Sequence, residues 1–295
     1  SKSPLATTTV GVERLAEIGA RSLADLTRLD ASVADAYNSE GYWTALTVRG
    51  FVLDPRANYR RDGLPISAET WLPLANKDRL EVLKGTSGIQ AGTSAPGGLA
   101  NLVVRRPMRE RRDASLEWRE EGGVAAAADL AQRFGSQDEI GVRLNLGAER
   151  LRPATKHTDG HSQVLALAGD LRATPDTLIE AEFERSHRSQ PSVPGFSLLG
   201  ERIPDAQDID PRTNLNNQPW SLPVVFDGST GSLRLTQRLP ASIGEGDWHF
   251  VAHGALQRLR SDDRVAFPFG CFDAGTGTYY PDRYCPDGSF DLYDY

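Results

Sequence analysis

The stretch LEVLKGTSGIQAGTSAPGGLANLVVRRP, residues 80–107, decides the fold of this chain. It places five glycines between two short apolar segments, 80–83 and 102–104, which we predict to be strands. A phosphate-binding loop would need a lysine directly after its last glycine, in the pattern G-x-x-x-x-G-K-[ST]. Here Lys84 precedes Gly85, and no G-x-G-x-x-G opens a helix. The stretch therefore indicates two strands joined by a glycine-rich turn that allows close backbone approach.

The sequence before Pro107 mixes short helical and strand signals. Ser22 and Asp25 have the spacing of a capping box, and leucines at 23, 26 and 29 form a helical stripe. Residues 45–53 predict a strand, and Asp62-Gly63 predicts a hairpin turn. These signals indicate a compact α+β unit of about a hundred residues, which is an ordinary domain size.

After Pro107 the apolar residues recur at every second position. The alternating apolar positions include Leu116 and Trp118; Val142, Leu144 and Leu146; Leu165, Leu167 and Leu171; Ile179, Ala181 and Phe183; Leu233 and Leu235; and Trp248, Phe250 and Ala252. Two architectures give this pattern. A soluble sandwich buries its apolar face, whereas a membrane barrel turns that face to lipid and the polar face to the lumen.

Strand and loop lengths favour the barrel. The segments 139–151 and 245–260 are long for a sandwich and suit tilted membrane strands. We predict a very short turn at 174–176 and long external loops at 186–228 and 261–295. About seven strands are predicted, whereas a barrel with a plugged lumen needs on the order of 22. We therefore expect the chain to be the N-terminal part of a longer protein.

Composition excludes other classes. The net charge of -7 argues against general binding of nucleic acid, which needs a basic surface. The longest apolar runs fall short of the roughly 18 residues of a membrane-spanning helix. The two cysteines, Cys271 and Cys285, lie in a loop-like segment without a neighbouring histidine, which disfavours zinc. We predict a disulfide between them, as suits an oxidising compartment; the alternative is two unrelated thiols.

Catalytic patterns are weak. No G-x-S-x-G elbow surrounds Ser87 or Ser94. His249 and His253 lie on one face of a predicted strand, where polar lumen residues are a better interpretation than metal ligands. Glu180, Glu182 and Glu184 alternate along another strand, which is typical of a polar barrel wall rather than of an acid–base pair. No metal site is predicted.

Four motifs between residues 46 and 107 occur in the order found in one known family. They are LTVRGF at 46–51, YRRDGLPI at 59–66, RLEVLKG at 79–85 and APGGLANLVVRRP at 95–107. This set resembles the plug domain of TonB-dependent outer-membrane siderophore receptors. The departures are small: Thr86 replaces a proline, and Val104-Arg105 replaces Thr-Lys. A TonB box is not evident near residue 1.

The resemblance implies an α+β plug domain over residues 1–107, followed by antiparallel transmembrane β-barrel strands over residues 108–295. It further implies a receptor in the outer membrane of a Gram-negative bacterium that takes up a ferric-siderophore. The implied partners are that ligand, outer-membrane lipid and the TonB–ExbB–ExbD energising complex. No bond is made or broken in such uptake, so an enzyme is not expected. No cofactor is expected either, because iron enters only within the transported ferric-siderophore.

Candidate ligand-binding residues lie in the loops that would form the external apex of the plug. Trp71 follows Glu69 and Thr70 in a polar loop and could stack on a planar or apolar ligand group; packing within the plug is the alternative interpretation. Gln90 occupies the position at which the family presents a ligand-facing side chain. The remaining candidates are Tyr42, Trp43 and Trp220.

Three arginines are predicted at the contact between plug and barrel. The resemblance places Arg49 there, within the RGF motif, together with Arg105 and Arg106. Because a buried arginine must be paired, we expect acidic residues of the barrel wall to balance them, on these strands or on further strands of the barrel.

Other functions stay open at this point. The same fold could import haem, cobalamin or a glycan, and the chain could be a truncated fragment that does not transport. A soluble α+β module joined to a β-sandwich is the alternative from a different class. It would expose the polar faces of its strands and bury the apolar ones.

Overall fold

A computed structural model of the chain describes residues 6–85, 92, 94–119, 121–193, 207, 210–214, 216–217, 221–240, 246–268, 271–273, 278–280 and 292–294. Two parts are evident. Residues 6–104 form a small domain of strands and short helices, here called the plug. Residues 111–264 form one antiparallel sheet, here called the wall.

The plug is built on a five-stranded sheet with the strand order β1-β7-β8-β5-β6. Its strands are β1 (Ala6–Gly11), β5 (Tyr59–Arg61), β6 (Leu64–Pro65), β7 (Lys77–Lys84) and β8 (Gly98–Val104). The parallel pair β5–β8 joins the hairpin β5–β6 to the antiparallel β7–β8 pair. Asp62 and Gly63 both have positive φ, as a two-residue turn between right-twisted strands requires.

The stretch 80–107 supplies two neighbouring strands, as predicted from its apolar segments. Gly98 begins β8 with φ +145°, and a Cβ there would lie 2.3 Å from the carbonyl oxygen of Leu83. Only glycine permits this backbone approach, so the close pairing of β7 and β8 depends on it. Thr86 to Ala91 and Thr93 lie outside the described residues.

Short elements cover one face of this sheet. They are α1 (Val12–Glu17), a 3-10 helix (Leu23–Arg28), β2 (Val33–Asp35), β3 (Leu46–Val48) and β4 (Phe51–Val52). The predicted capping box is present, with Ser22 and Asp25 satisfying each other's backbone groups at the start of the 3-10 helix.

The prediction of one strand over residues 45–53 is wrong. A tight turn interrupts it at Arg49 and Gly50, which have φ of 51° and 85°. Strands β3 and β4 therefore pair with each other as a hairpin. The glycine permits the positive φ of this turn. The apolar residues on both sides of it have the pattern of one continuous strand, so the sequence did not indicate the turn.

The plug core is mainly aliphatic. Leu46, Val48, Leu53 and Tyr59 are fully buried between the short elements and the sheet, with Leu26, Val82 and Leu102 beside them. The Tyr59 hydroxyl accepts a hydrogen bond from the backbone N–H of Leu46 at 3.0 Å, so its polar atom is satisfied. Burial raises the pKa of Tyr59 to about 12.

The wall consists of seven strands, each antiparallel to the next in chain order. They are β9 (Arg111–Trp118), β10 (Val124–Phe134), β11 (Ile140–Leu151), β12 (Gly160–Thr174), β13 (Thr177–Gln190), β14 (Leu222–Arg238) and β15 (His249–Arg264). Beyond them lie four short strands: β16 (Ala266–Pro268), β17 (Cys271–Asp273), β18 (Thr278–Tyr280) and β19 (Leu292–Asp294). None of the described helices is long and apolar enough to cross a membrane.

The predicted loop bounds need correction. Strand β13 continues to Gln190 and β14 begins at Leu222, so the connection is shorter than the predicted 186–228. Strand β15 likewise continues to Arg264, inside the predicted loop 261–295, and β16 to β19 follow it. These strands extend beyond their last apolar positions. The added residues are serine, arginine, histidine and aspartate, which the sequence pattern assigned to loops.

The two faces of the wall are the reverse of those of a soluble sheet. Its buried polar residues, which face the plug, include Asp129, Asn145, Ser162, Glu182, Glu184 and Thr230. Its exposed apolar residues, on the outer face, include Leu116, Trp118, Leu165, Leu167, Phe183 and Leu233. A soluble sandwich cannot have this arrangement, whereas a barrel wall in lipid requires it.

Candidate functional site

A buried ionic cluster joins the plug to the wall. Arg61, at the end of β5, donates two hydrogen bonds to Glu182, of 2.9 Å from Nε and 2.5 Å from Nη2. Its third nitrogen lies 2.9 Å from Glu184, which also accepts a hydrogen bond of 2.7 Å from Lys77 Nζ. All four side chains are at most 5% exposed. The cluster therefore has two cations from the plug and two carboxylates from one wall strand.

Burial and pairing act in opposite directions on these cations. Burial lowers the pKa of Lys77 to about 8, with the neighbouring Arg61 adding to the effect and Glu184 opposing it. For Arg61, burial also disfavours the charged form, but Glu184 and Glu182 outweigh it and raise the pKa. Bidentate geometry on Glu182 keeps the guanidinium charged and fixes its orientation.

A second ionic group lies where β8 leads into the wall. Arg105 contacts Asp129 of β10 at 3.0 Å and donates to the carbonyl oxygen of Lys77. Burial lowers the pKa of Arg105, and Asp129 counteracts this. Arg106 pairs with Asp62 at 2.5 Å and lies 3.7 Å from Glu180 of β13. Two of the three predicted arginines thus contact acidic wall residues.

Arg49 is exposed in this chain. The sequence interpretation paired it with an acid of the wall, on these strands or on further barrel strands, and that pairing stays a prediction. Arg49 lies on the β3–β4 turn with φ 51°. A further buried arginine that pairs with the wall is Arg61, which sequence reasoning missed. The signal was present in the Asp62-Gly63 turn, because the residue before a two-residue hairpin turn has a fixed position in its sheet.

Three predicted aromatic residues come together at the long-loop end of the wall. Tyr42, Trp43 and Trp71 pack against Val224, Phe226 and Val265, which belong to β14 and to the residue after β15. The ring centroids of Tyr42 and Phe226 are 6.1 Å apart, and those of Trp43 and Tyr37 are 4.8 Å apart. The Tyr42 hydroxyl also hydrogen-bonds to Asp263 at 3.3 Å. We call Tyr42, Trp43 and Trp71 the apical aromatic cluster.

Backbone contacts fix the plug beside this cluster. The Ser39 hydroxyl donates to the carbonyl oxygen of Val193 at 2.7 Å, and the Val193 N–H donates to the backbone carbonyl oxygen of Glu40 at 2.9 Å. Gly41 fits directly against Pro191, since a Cβ there would lie 2.2 Å from the Pro191 carbonyl oxygen. The first residues of the β13–β14 connection are therefore held by the plug.

A cavity of about 330 Å³ adjoins the cluster between the plug and strands β11–β13. Its lining includes Tyr42 and Trp71, the cations Arg21 and Arg188, and the carboxylates Glu40 and Glu149. Arg21 lies 2.6 Å from Glu149. Rings beside charged hydrogen-bonding groups suit a ligand that is partly planar and partly polar.

The other two residues of the Glu69–Thr70–Trp71 loop have different environments. Glu69 pairs with Arg56 at 3.1 Å on the plug surface, where it stays partly exposed. Thr70 is only 5% exposed in this structure, and its role in ligand binding stays a prediction. Trp71 packs against the wall and also lines the cavity, so ligand contact and packing over the plug both stay predictions for it.

Several predicted residues lie wholly or partly outside the described structure. Gln90, Trp220 and Cys285 are outside it, and only the backbone of Cys271, in β17, is described. Their roles in ligand binding and in a disulfide stay predictions.

Comparison with known proteins agrees with this architecture. Residues 1–99 match the family model of the TonB-dependent receptor plug domain. The chain is 29% identical over 185 residues to the metal-pseudopaline receptor of Pseudomonas aeruginosa strain UCBPP-PA14, covering 54% of this chain and 25% of that protein. The chain thus spans about a quarter of the length of this curated relative.

Solved structures show the same fold over almost the whole chain. The closed form of the ferric-catecholate import receptor Fiu from E. coli K12 superposes with a TM-score of 0.79 at 18% identity, covering 99% of this chain and 41% of that one. BauA, the ferric preacinetobactin receptor of Acinetobacter baumannii, gives 0.77 at 17% identity, covering 90% and 39%.

The plug, the reversed faces of the wall and the ionic contacts between them define an outer-membrane β-barrel protein whose lumen holds a plug. With the family match over residues 1–99, the chain has the plug domain of TonB-dependent receptors, followed by wall strands with the fold of their barrels, the architecture of outer-membrane receptors of Gram-negative bacteria. This is a family of receptors rather than a class of enzymes.

Proposed function

We propose that this protein takes up ferric-siderophores across the outer membrane in a process energised by TonB. The observation that carries the proposal is the apical aromatic cluster, packed on the wall beside a cavity of about 330 Å³. Relatives named as receptors for metal-pseudopaline, ferric-catecholate and ferric preacinetobactin support a metal–chelator cargo. The ligand would lie over Trp71 and Tyr42, with its polar groups toward Arg188 and Arg21.

The buried ionic cluster suits a plug that must move. Four charges in one contact hold the plug tightly while they stay together, yet their separation exposes groups that water solvates well. A pull on the plug from the periplasmic side would therefore meet one localised barrier. We propose the TonB–ExbB–ExbD complex as the source of that pull.

Iron-limited growth tests the function. A strain lacking the gene is supplied with ferric complexes of catecholate, hydroxamate and mixed chelators, one at a time. We expect the full-length gene to restore growth on at least one complex and not on haem or cobalamin. Equal growth of both strains on every ferric complex would reject the cargo class.

Ligand binding by the purified full-length protein tests the site. Quenching of tryptophan fluorescence by the complex that restores growth gives an apparent Kd. We expect Trp71→Ala to weaken binding by up to about tenfold, because stacking on one ring contributes roughly 0.5–1.5 kcal/mol beyond the apolar area that it buries. Trp118→Ala is the matched control, because Trp118 lies on the outer face and is 71% exposed. Equal loss in both variants would remove the apical aromatic cluster from the site.

A further inference from the structure

One inward row of the wall carries several of the contacts to the plug. The strand register from β10 to β15 places six residues in this row: Asp129, Asn145, Ala166, Glu184, Thr230 and Gln257. Asp129 and Glu184 are two of the acids that hold plug cations. Because paired residues of a sheet point to the same side, Gln257 faces the plug as they do.

Gln257 holds the plug through backbone atoms instead of a charge. Its Oε1 accepts a hydrogen bond from the N–H of Ser67 at 2.9 Å, and its Nε2 donates to the carbonyl oxygen of Ser67 at 3.1 Å. A glutamine amide carries both an acceptor and donors, so it can pair with both backbone groups of one residue, as a neighbouring strand would. We call these two hydrogen bonds the Ser67 clamp.

The residues on both sides of Ser67 are bonded within the plug. The Ile66 N–H donates to the carbonyl oxygen of Tyr59 at 3.2 Å, and the Ala68 N–H donates to that of Pro55 at 2.8 Å. The N–H and the carbonyl group of Ser67 instead point to the wall. Backbone groups away from water need such partners, so the Ser67 clamp stabilises this conformation of the loop.

The Ser67 clamp precedes Trp71 in the same loop. Trp71 packs on the wall and lines the cavity of about 330 Å³. Between the two, Glu69 pairs with Arg56 on the plug surface, where an ion pair contributes little. The orientation of the Trp71 ring therefore depends on the Ser67 clamp.

We propose that Gln257 is a positioning residue of the ligand site, because its clamp on Ser67 holds the Trp71 ring toward the cavity. The inference rests on the proposed function, since the orientation of Trp71 matters for uptake only if cargo stacks on it. Gln257 is not among the described residues that line the cavity, so it acts on cargo through Trp71.

Hydrogen–deuterium exchange of the full-length protein in detergent micelles tests the Ser67 clamp without cargo. Gln257→Met keeps the length of the side chain and removes both hydrogen bonds. We expect the amides of residues 66–72 to exchange at least about tenfold faster, because each hydrogen bond is worth about fivefold. Unchanged exchange would overturn the proposal.

Gln237→Met is the matched control for this measurement. Gln237 lies at the short-turn end of β14, where it contacts Thr177 and Arg238. This variant should leave the exchange of residues 66–72 unchanged. Equal acceleration in both variants would mean that a general loosening of the wall, and not the Ser67 clamp, controls the loop.

Isothermal titration calorimetry tests the effect on the site. The probes are ferric complexes of a catecholate, a hydroxamate and a mixed chelator. For a complex that binds the wild type, Gln257→Met should raise the apparent Kd about threefold to tenfold, because the loop is less often in the binding arrangement. In a Trp71→Ala background the same replacement should change the Kd by less than about twofold, since no ring is left to position.

The outcomes separate this inference from the proposed function. Additive losses in the double variant, or an unchanged Kd in Gln257→Met, would overturn the inference while a wild type that binds a ferric complex supports the function. If the wild type bound none of the complexes, the proposed function would fail and the ligand role of Gln257 with it. Exchange would still decide whether the Ser67 clamp holds the loop.

Discussion

The plug and the wall bury opposite kinds of residue. In the plug, Leu46, Val48 and Leu53 are fully buried. In the wall, Glu182 and Glu184 are buried while Leu165 and Leu167 are 40% and 44% exposed. The same physical rule produces both, because each face matches the medium that it meets. The comparison shows that an amphipathic pattern indicates which face of an element meets an apolar medium. It does not indicate whether that medium is the protein interior or lipid.

The largest effect is expected at the ionic cluster, where the two regions meet. Arg61→Ala should lower the free energy of unfolding by about 3–5 kcal/mol, because it leaves Glu182 buried without a cation. Urea titration of the purified protein in detergent measures this. Arg238→Ala, which removes an ion pair with Asp247 on the surface, should cost at most about 1 kcal/mol. Similar losses would mean that the cluster is open to water.

A leucine truncation in each region sharpens the contrast in packing. Leu46→Ala in the plug core should cost about 2–5 kcal/mol, because rigid neighbours leave a cavity. Leu167→Ala on the outer face should cost at most about half as much, since mobile detergent or lipid chains fill the space. The same urea titration compares the two. A larger loss at Leu167 would place that residue in a packed protein interface.

Introducing a charge on the outer face tests its contact with lipid. Leu167→Arg should destabilise the protein folded in lipid vesicles by about 2–4 kcal/mol, whereas Gln163→Arg, nearer the headgroups, should cost about 0–1 kcal/mol. Both are measured by reversible unfolding from vesicles. Equal costs at the two positions would contradict the assigned depth.

The smallest effect is expected at a polar contact within the plug. Asp30 lies 2.6 Å from Lys84 and accepts hydrogen bonds from Thr8 and Ser32. Burial tends to raise the pKa of Asp30, but these partners outweigh it and lower the pKa below its ordinary value of 3.8. Asp30 therefore stabilises the fold above about pH 3.8, and this contribution is lost as the pH falls further.

Asp30→Asn should cost about 1–3 kcal/mol at pH 7. The difference from the wild type should shrink at pH 3 and below, as the Asp30 carboxylate of the unfolded chain takes up a proton while that of the folded protein stays charged. Unfolding titrations at both pH values provide the measurement. A difference that stays the same at pH 7 and pH 3 would show that the charge of Asp30 does not matter.

The sequence by itself determined the strands on both sides of the glycine-rich turn, the Asp62-Gly63 hairpin and the alternation of the wall. These features are local: turn conformations and side-chain alternation follow from a few consecutive residues. The sequence also indicated that wall acids would balance plug cations, since a buried charge needs a partner.

Only the tertiary structure decided which cations those are. Arg61 and Lys77 are separated from Glu182 and Glu184 by more than a hundred positions, so no local pattern connects them. The same holds for the burial of Thr70, the exposure of Arg49 and the packing of Tyr42 and Trp71 on β14. Each depends on how the plug is placed against the wall, and that placement depends on the shapes of two surfaces that are distant in sequence.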